Sequence, residues 1–254
     1  LPLKVVFITQ EDPIYLSVFW DEFSRHINEL RAGGVSVNAL VSLVPLGKDS
    51  MGALFKRVYG FYGFSGTMKV ALKFAASRLR GRTTSRYARR MDTRFMYVEN
   101  IHSREFIRFA SEQDVVVSVA ASRIFKDRLL SAPVHGCVNI HSSLLPKYQG
   151  MMPVYWQMRD GYQEIGITIH KMIEKLDSGD ILMQRVISIE DCDTLDRAIS
   201  KTKREGARMM TEFLVDFSRF FDNPSECDVS EATYYSFPDR VSTAQFLATG
   251  KKLL

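Results

Sequence analysis

The sequence predicts an α/β fold: a doubly wound, mostly parallel sheet with a basic helical insertion and a short C-terminal extension. Three observations carry this reading. Residues 3–9, LKVVFIT, form a continuous apolar run rich in β-branched side chains, as a strand buried on both faces of a parallel sheet requires. Over residues 14–30, Ile14, Val18, Phe19, Phe23, Ile27 and Leu30 recur at three- and four-residue intervals. Asp21, Glu22, Arg25 and Glu29 fall on other faces, which is the period of an amphipathic helix. From residue 95 onward, strand-like and helix-like patterns alternate regularly.

Taken in order, Gly33 and Gly34 end the first helix. Residues 35–44 give a second strand, so the chain starts β-α-β with a right-handed crossover. Residues 51–94 break the alternation. The aromatic-rich FKRVYGFYGF of residues 55–64 precedes a helix expected over 67–79 and then a basic stretch. We read 51–94 as an insertion whose Met and aromatic side chains pack in the core or against a second copy of the chain. The spacing then predicts a strand at 95–98, a helix at 103–112, a strand at 114–119, a short helix at 126–130 and a strand at 136–141. A helix at 153–159, strands at 165–172 and 181–189, and a helix from Thr194 toward Phe220 follow. Residues 1–222 form one domain on this reading, and 223–254 are a C-terminal extension too short for a domain of its own.

With 46% hydrophobic and 25% charged residues, the composition is that of a globular protein rather than a disordered or fibrous one. No apolar run approaches the ~20 residues a bilayer-spanning helix needs. The first strand begins next to Leu1 with no basic and apolar leader before it, so a cytoplasmic location is expected. Cys137, Cys192 and Cys227 lie far apart, which argues against a disulfide framework or a zinc knuckle. The net charge of +5 is concentrated at Lys69, Lys73, Arg78, Arg80, Arg82, Arg86, Arg89, Arg90 and Arg94. Such a stripe can bind nucleic acid, anionic lipid or a phosphorylated small molecule, and it can equally be a solvated helix face.

The chemistry concentrates in VNIHSSLLP, residues 138–146. Strand alternation puts Asn139 and His141 on one face, roughly 7 Å apart, at the carboxyl end of a parallel strand where open α/β sheets bind ligands. A buried, hydrogen-bonded histidine without chemistry is the plainer alternative. His135 and Cys137 share the alternation, but a zinc site on four successive same-face strand positions lacks the usual looped or helical ligand spacing. No metal is expected. Ser142 and Ser143 lack the G-x-S-x-G elbow of an activated serine.

NIHSSLLPKYQG, then ITIHKM, then LDSGDIL resemble the formyltransferases that use 10-formyltetrahydrofolate. The resemblance implies a Rossmann-like formyltransferase fold, 10-formyltetrahydrofolate as cosubstrate, and a catalytic trio of Asn139, His141 and Asp177. Thr168, His170 and Gly179 also fall where that family has them. Acyl transfer needs an oxyanion stabiliser and a proton route, for which an amide, an imidazole and a carboxylate suffice. The family holds its pterin ring mainly by backbone groups, which match Arg123, Ile124 and Phe125, Glu174, Lys175 and Leu176, with Ser143, Leu144, Leu145 and Pro146 closing the groove. Two positions depart from the pattern: Ser142 stands where the family usually has Pro, and Gln149 where it often has Arg.

The resemblance also bears on the acceptor, for which Gln10, Asp12, Gln149, Gly150 and Met151 are the candidate contacts. Purine-pathway members cradle a phosphate in a Gly-rich loop after the first strand, whereas this turn reads TQEDP and would repel it. The expected acceptor is therefore the primary amine of an amino sugar or a nucleotide-linked amino sugar. The competing expectations are methionyl-tRNA or glycinamide ribonucleotide formylation, hydrolysis of formyltetrahydrofolate, and a non-enzymatic nucleic-acid or membrane binder acting through residues 69–94. A homodimer through 51–94 or the C-terminal extension is the expected assembly, with no nucleic-acid partner.

Overall fold

The computed structural model describes residues 1–44 and 51–254, with the backbone alone for 51–55. The chain runs β1 (Leu3–Gln10), α1 (Leu16–Phe23), α2 (Ile27–Ala32), β2 (Val35–Leu43), α3 (Met51–Leu79), α4 (Thr84–Arg90), β3 (Arg94–Val98), α5 (Arg104–Ser111) and β4 (Val115–Ser118). It continues with α6 (Asp127–Leu130), β5 (Cys137–His141), β6 (Gln149–Gly150), α7 (Pro153–Arg159), β7 (Glu164–Lys171), β8 (Ile181–Ser188), α8 (Leu195–Val215), α9 (Phe217–Phe221), β9 (Tyr234–Tyr235) and α10 (Arg240–Ala248).

Seven strands form one sheet in the order β3-β2-β1-β4-β5-β7-β8. β1 to β5 pair in parallel, while β7 is antiparallel to both β5 and β8. The central strands are buried on both faces, as their unbroken apolar runs require. Val5, Phe7, Val117 and Val138 face a core shared with α1, α7 and α8. Val6, Ile8, Val116 and Cys137 face a second core with α5 and α6. The order reverses between β1 and β4, and β5 lies next to that switch with its carboxyl end open to the ligand side of the sheet.

Two expectations change. The helix expected over 14–30 is interrupted by a 3-10 turn at Ser24–His26. This lets α2 turn separately toward Gly34, whose φ of 76° starts β2. The segment read as an insertion is the crossover that parallel β2 and β3 need. Within it α3 is broken at Gly63 (φ 64°), upstream of the helix start expected at Thr67. α4 buries Tyr87, Ala88 and Met91 in the first core, and the Glu11 carboxylate accepts from the Thr84 N–H at its first turn, at 3.1 Å. Phe61 of the aromatic stretch is buried, whereas Phe64 (72% exposed), Met68, Leu72 and Leu79 stand in solvent; the side chain of Phe55 lies outside the described residues. The C-terminal residues fold back on the sheet domain: Phe246 of α10 is fully buried against Tyr155 of α7, and β9 pairs with β6. Among the described residues no helix is long and apolar enough to cross a membrane.

Candidate active site

β5 and β7 build the site. Their antiparallel register sets Asn139 opposite His170 and His141 opposite Thr168. The SSLLP turn leaving β5 lies flat on β7, because Gly166 has no side chain: a Cβ there would meet the Leu144 backbone nitrogen at 2.4 Å. Thr168 fastens the turn, its hydroxyl donating to the Ser143 carbonyl at 2.6 Å and accepting from the Leu145 N–H at 3.2 Å. Ser143 is fully buried, its hydroxyl given to the Lys147 carbonyl at 2.8 Å.

The loop after β7 brings Asp177 over these strands. Its φ of 49° is left-handed, a conformation that costs an L residue about 1–2 kcal/mol unless its surroundings impose it. They do. The Gln149 side chain donates to the Asp177 carbonyl at 2.9 Å, and the Gly150 N–H donates to the carboxylate at 2.9 Å. Gly179 lets the loop touch β7, since a Cβ there would stand 2.0 Å from the Lys171 carbonyl oxygen. The carboxylate then faces His141 Nδ1 at 3.7 Å, His170 Nε2 at 3.6 Å and Asn139 Nδ2 at 3.5 Å.

Hydrogen bonding fixes where the protons sit. The Tyr148 carbonyl lies 2.8 Å from His141 Nε2 and can only accept, so Nε2 carries the proton and Nδ1 presents its lone pair toward Asp177. His170 gives its Nδ1–H to the Lys171 carbonyl at 2.8 Å, leaving Nε2 to accept from Asn139 Nδ2 at 3.2 Å. The same contact orients the amide, because a reversed Asn139 would aim its oxygen at a lone pair and a carboxylate. Burial pushes the Asp177 carboxyl up, but in the acid range where it titrates His170, His141 and the Gly150 N–H outweigh it and hold it at about 2. Burial lowers His141 below its ordinary value against the opposing pull of Asp177 and the Tyr148 carbonyl. At neutral pH the pair is a carboxylate beside a neutral imidazole.

The structure thus brings Asn139, His141 and Asp177 together and adds His170, Tyr148 and Gly150 as their direct partners. Sequence reasoning noted His170 by resemblance without giving it a role; its position opposite Asn139 depends on an antiparallel pairing that local pattern does not reveal. It missed Lys203 of α8, whose ammonium is pulled below its ordinary range by burial while Asp12 acts in the opposite sense, and whose charge also lowers His141.

The candidate folate contacts are more dispersed. Phe125 is buried in the second core, Ile124 is exposed with its carbonyl 3.0 Å from His102 Nε2, and Arg123 donates to the Val44 carbonyl at 2.8 Å. Leu144, Glu174, Lys175 and Leu176 are exposed. Of the acceptor candidates, Gln149 and Gly150 belong to the Asp177 cradle, Met151 is exposed, and Asp12 accepts from the Ile14 and Tyr15 N–H groups at 2.8 and 3.0 Å. Gln10 ends β1 half-buried. The alternative metal trio does not assemble: His135 packs on Phe217 and Phe221, and the Cys137 thiol, pushed up to about 12 by burial, donates to the Leu129 carbonyl.

An open α/β sheet with an ionisable cluster at the carboxyl end of an inner strand is the arrangement in which domains of the doubly wound class bind ligands. Residues 99–214, just under half of the chain, match the family model described as Formyl transferase. A methionyl-tRNA formyltransferase of Listeria welshimeri is 42% identical over 108 residues, covering 42% of this chain and 35% of that protein. Another from Ehrlichia chaffeensis is 38% identical over 126 residues, covering 50% and 41%. The chain thus spans 35–41% of the length of these curated relatives. Glycinamide ribonucleotide transformylase 1 from Symbiobacterium toebii has a TM-score of 0.58 at 18% identity, over 86% of this chain and 88% of that one. A sugar N-formyltransferase from a Shewanella species has a TM-score of 0.58 at 17% identity, over 92% and 76%. These two share the fold.

Proposed function

We propose that the protein transfers a formyl group from 10-formyltetrahydrofolate to a primary amine, with Asn139, His141 and Asp177 as the catalytic residues. The observation that carries the reading is His141 with Nε2 held 2.8 Å from the Tyr148 carbonyl, so that Nδ1 is turned to the Asp177 carboxylate at 3.7 Å. Attack by the amine forms a C–N bond and leaves an oxyanion on the formyl carbon. His141 Nδ1 takes the amine proton, and Asp177 stabilises the imidazolium. Asn139 turns its weaker N–H, the 3.5 Å contact to Asp177, toward the oxyanion while His170 keeps the amide in place. Collapse breaks the bond from the formyl carbon to the folate nitrogen, and the proton on His141 passes to that nitrogen. The exposed Ile124, Leu144 and Leu176 supply apolar surface for the pterin, with backbone groups of residues 123–125 and 174–176 beside them.

The acceptor we favour is an amino sugar or a nucleotide-linked one. Its support is the turn after β1. There Asp12 already occupies the Ile14 and Tyr15 N–H groups and Glu11 occupies that of Thr84, so these groups are not open to a phosphate. The exposed Phe64, Met68 and Leu72 of α3, spaced by one helical turn, suit a second copy of the chain, which light scattering would detect. The deciding experiment incubates the protein with 10-formyltetrahydrofolate and a panel of amino sugars, nucleotide-linked amino sugars, glycinamide ribonucleotide and methionyl-tRNA, following the mass gain of a formyl group. Formylation of an amino sugar is the expected result; formate release without acceptor would make the protein a hydrolase.

A further inference from the structure

Asp177 and His141 are held in place by one short segment, residues 148–151. The Tyr148 carbonyl accepts from His141 Nε2–H, the Gly150 N–H holds the Asp177 carboxylate, and the Gln149 side chain holds the Asp177 carbonyl. Little within this segment fixes its own shape: β6 has two residues, and Tyr148 and Gly150 both have positive φ, 60° and 89°.

The support comes from far along the chain. The Tyr148 N–H donates to Thr233 Oγ1, the Gln149 N–H to the Thr233 carbonyl and the Met151 N–H to the Tyr235 carbonyl, each at 2.8 Å. Alternation along β6 explains the division of labour: the amides of Gln149 and Met151 point to β9, so the amide between them, Gly150, points away from β9 to Asp177. Gly150 has no space to shift toward β9, where a Cβ would stand 2.3 Å from the Tyr235 carbonyl oxygen. The Tyr235 ring stacks on Tyr148 at 5.4 Å and on Trp156 at 4.6 Å, which ties β9 to α7.

We infer that residues 233–235 are a strap that positions the Asp177–His141 pair, with Thr233 as a positioning residue 85 residues from Tyr148 in sequence. The consequence for turnover rests on the proposed reaction; the geometric claim does not.

Thr233→Val tests both in the intact chain. The side chain is exposed, so the substitution removes the acceptor for the Tyr148 N–H and opens no core cavity. Amide hydrogen exchange in the free protein is expected to accelerate about tenfold or more at both Tyr148 and Gly150, and Thr233→Ser to restore both. Acceleration at Tyr148 with wild-type exchange at Gly150 would overturn the strap, whatever reaction the protein performs. With substrates, kcat is expected to fall about tenfold while KM for the formyl donor stays within about twofold. Fast exchange at Gly150 with unchanged kcat would overturn the catalytic consequence. If the wild type transfers no formyl group, the proposed function fails and the exchange result still decides the strap.

Discussion

The carboxyl end of β5 and the arginine-lined hollow beside α4 are both rich in charge, and they are built in opposite ways. The hollow has a volume of about 770 Å³ and is lined by Arg80, Arg82, Arg86, Arg89, Arg90 and Asp21. Arg90 and Arg82 meet Asp21 at 3.4 and 3.9 Å, and most of the arginines stand in solvent. Such pairs are screened by salt and contribute little. At β5 four largely buried polar side chains converge; His141, His170 and Asp177 each have a backbone partner that fixes their direction, and Asn139 is held by His170. Enforced direction, rather than charge alone, sets the proposed site apart.

The largest effect expected from this contrast is on turnover. Asn139→Ala, His141→Ala or Asp177→Ala each lowers kcat/KM for formyl transfer by about 10³-fold or more while the fold survives, as steady-state kinetics and thermal melts would record. His170→Ala, which removes the group orienting the Asn139 amide, lowers kcat by about tenfold to a hundredfold.

Next come the close approaches that impose direction. Gly179→Ala drives a Cβ into the Lys171 carbonyl and costs about 1–3 kcal/mol in urea unfolding, with loss of activity because Asp177 moves with its loop. Wild-type stability in this variant would show that the loop yields without cost.

The pH dependence is smaller and has a definite sign. The proposed reaction requires neutral His141, whose depressed value is expected to move the acid limb of the kcat/KM profile below the range of an ordinary histidine. Asp177 is held below its unfolded value. Its contribution to stability, about 2 kcal/mol, is therefore fully present above pH ~4 and lost as pH falls through about 2. Asp177→Asn should flatten that part of the acid unfolding curve. Smallest of all, Arg89→Ala or Arg90→Ala should change stability by under about 0.5 kcal/mol and turnover by less than twofold; a large loss in either would show that the hollow belongs to the working surface.

Legibility in the sequence follows the same divide. Period-two alternation sufficed to put Asn139 and His141 on one face of β5, and continuous apolar runs sufficed for β1 and β4. Asp177 could be placed only by resemblance, since its position depends on a left-handed residue and on β7 pairing antiparallel with β5, neither of which has a local signature. α4 was hidden by composition: Tyr87, Ala88 and Met91 are a buried face, but the arginines between them made the stretch read as an insertion. The two-residue β9 is shorter than any periodicity can report, so a contact of Thr233 with the site segment was out of reach.

The most direct test of the central claim is the rate of formyl transfer from 10-formyltetrahydrofolate to the amine found by the acceptor panel, in the wild type and in Asp177→Asn, which keeps the side chain's shape and removes its charge. The account predicts formylated amine from the wild type and a rate lower by about 10³-fold or more in the variant. Equal rates in the two proteins would contradict it.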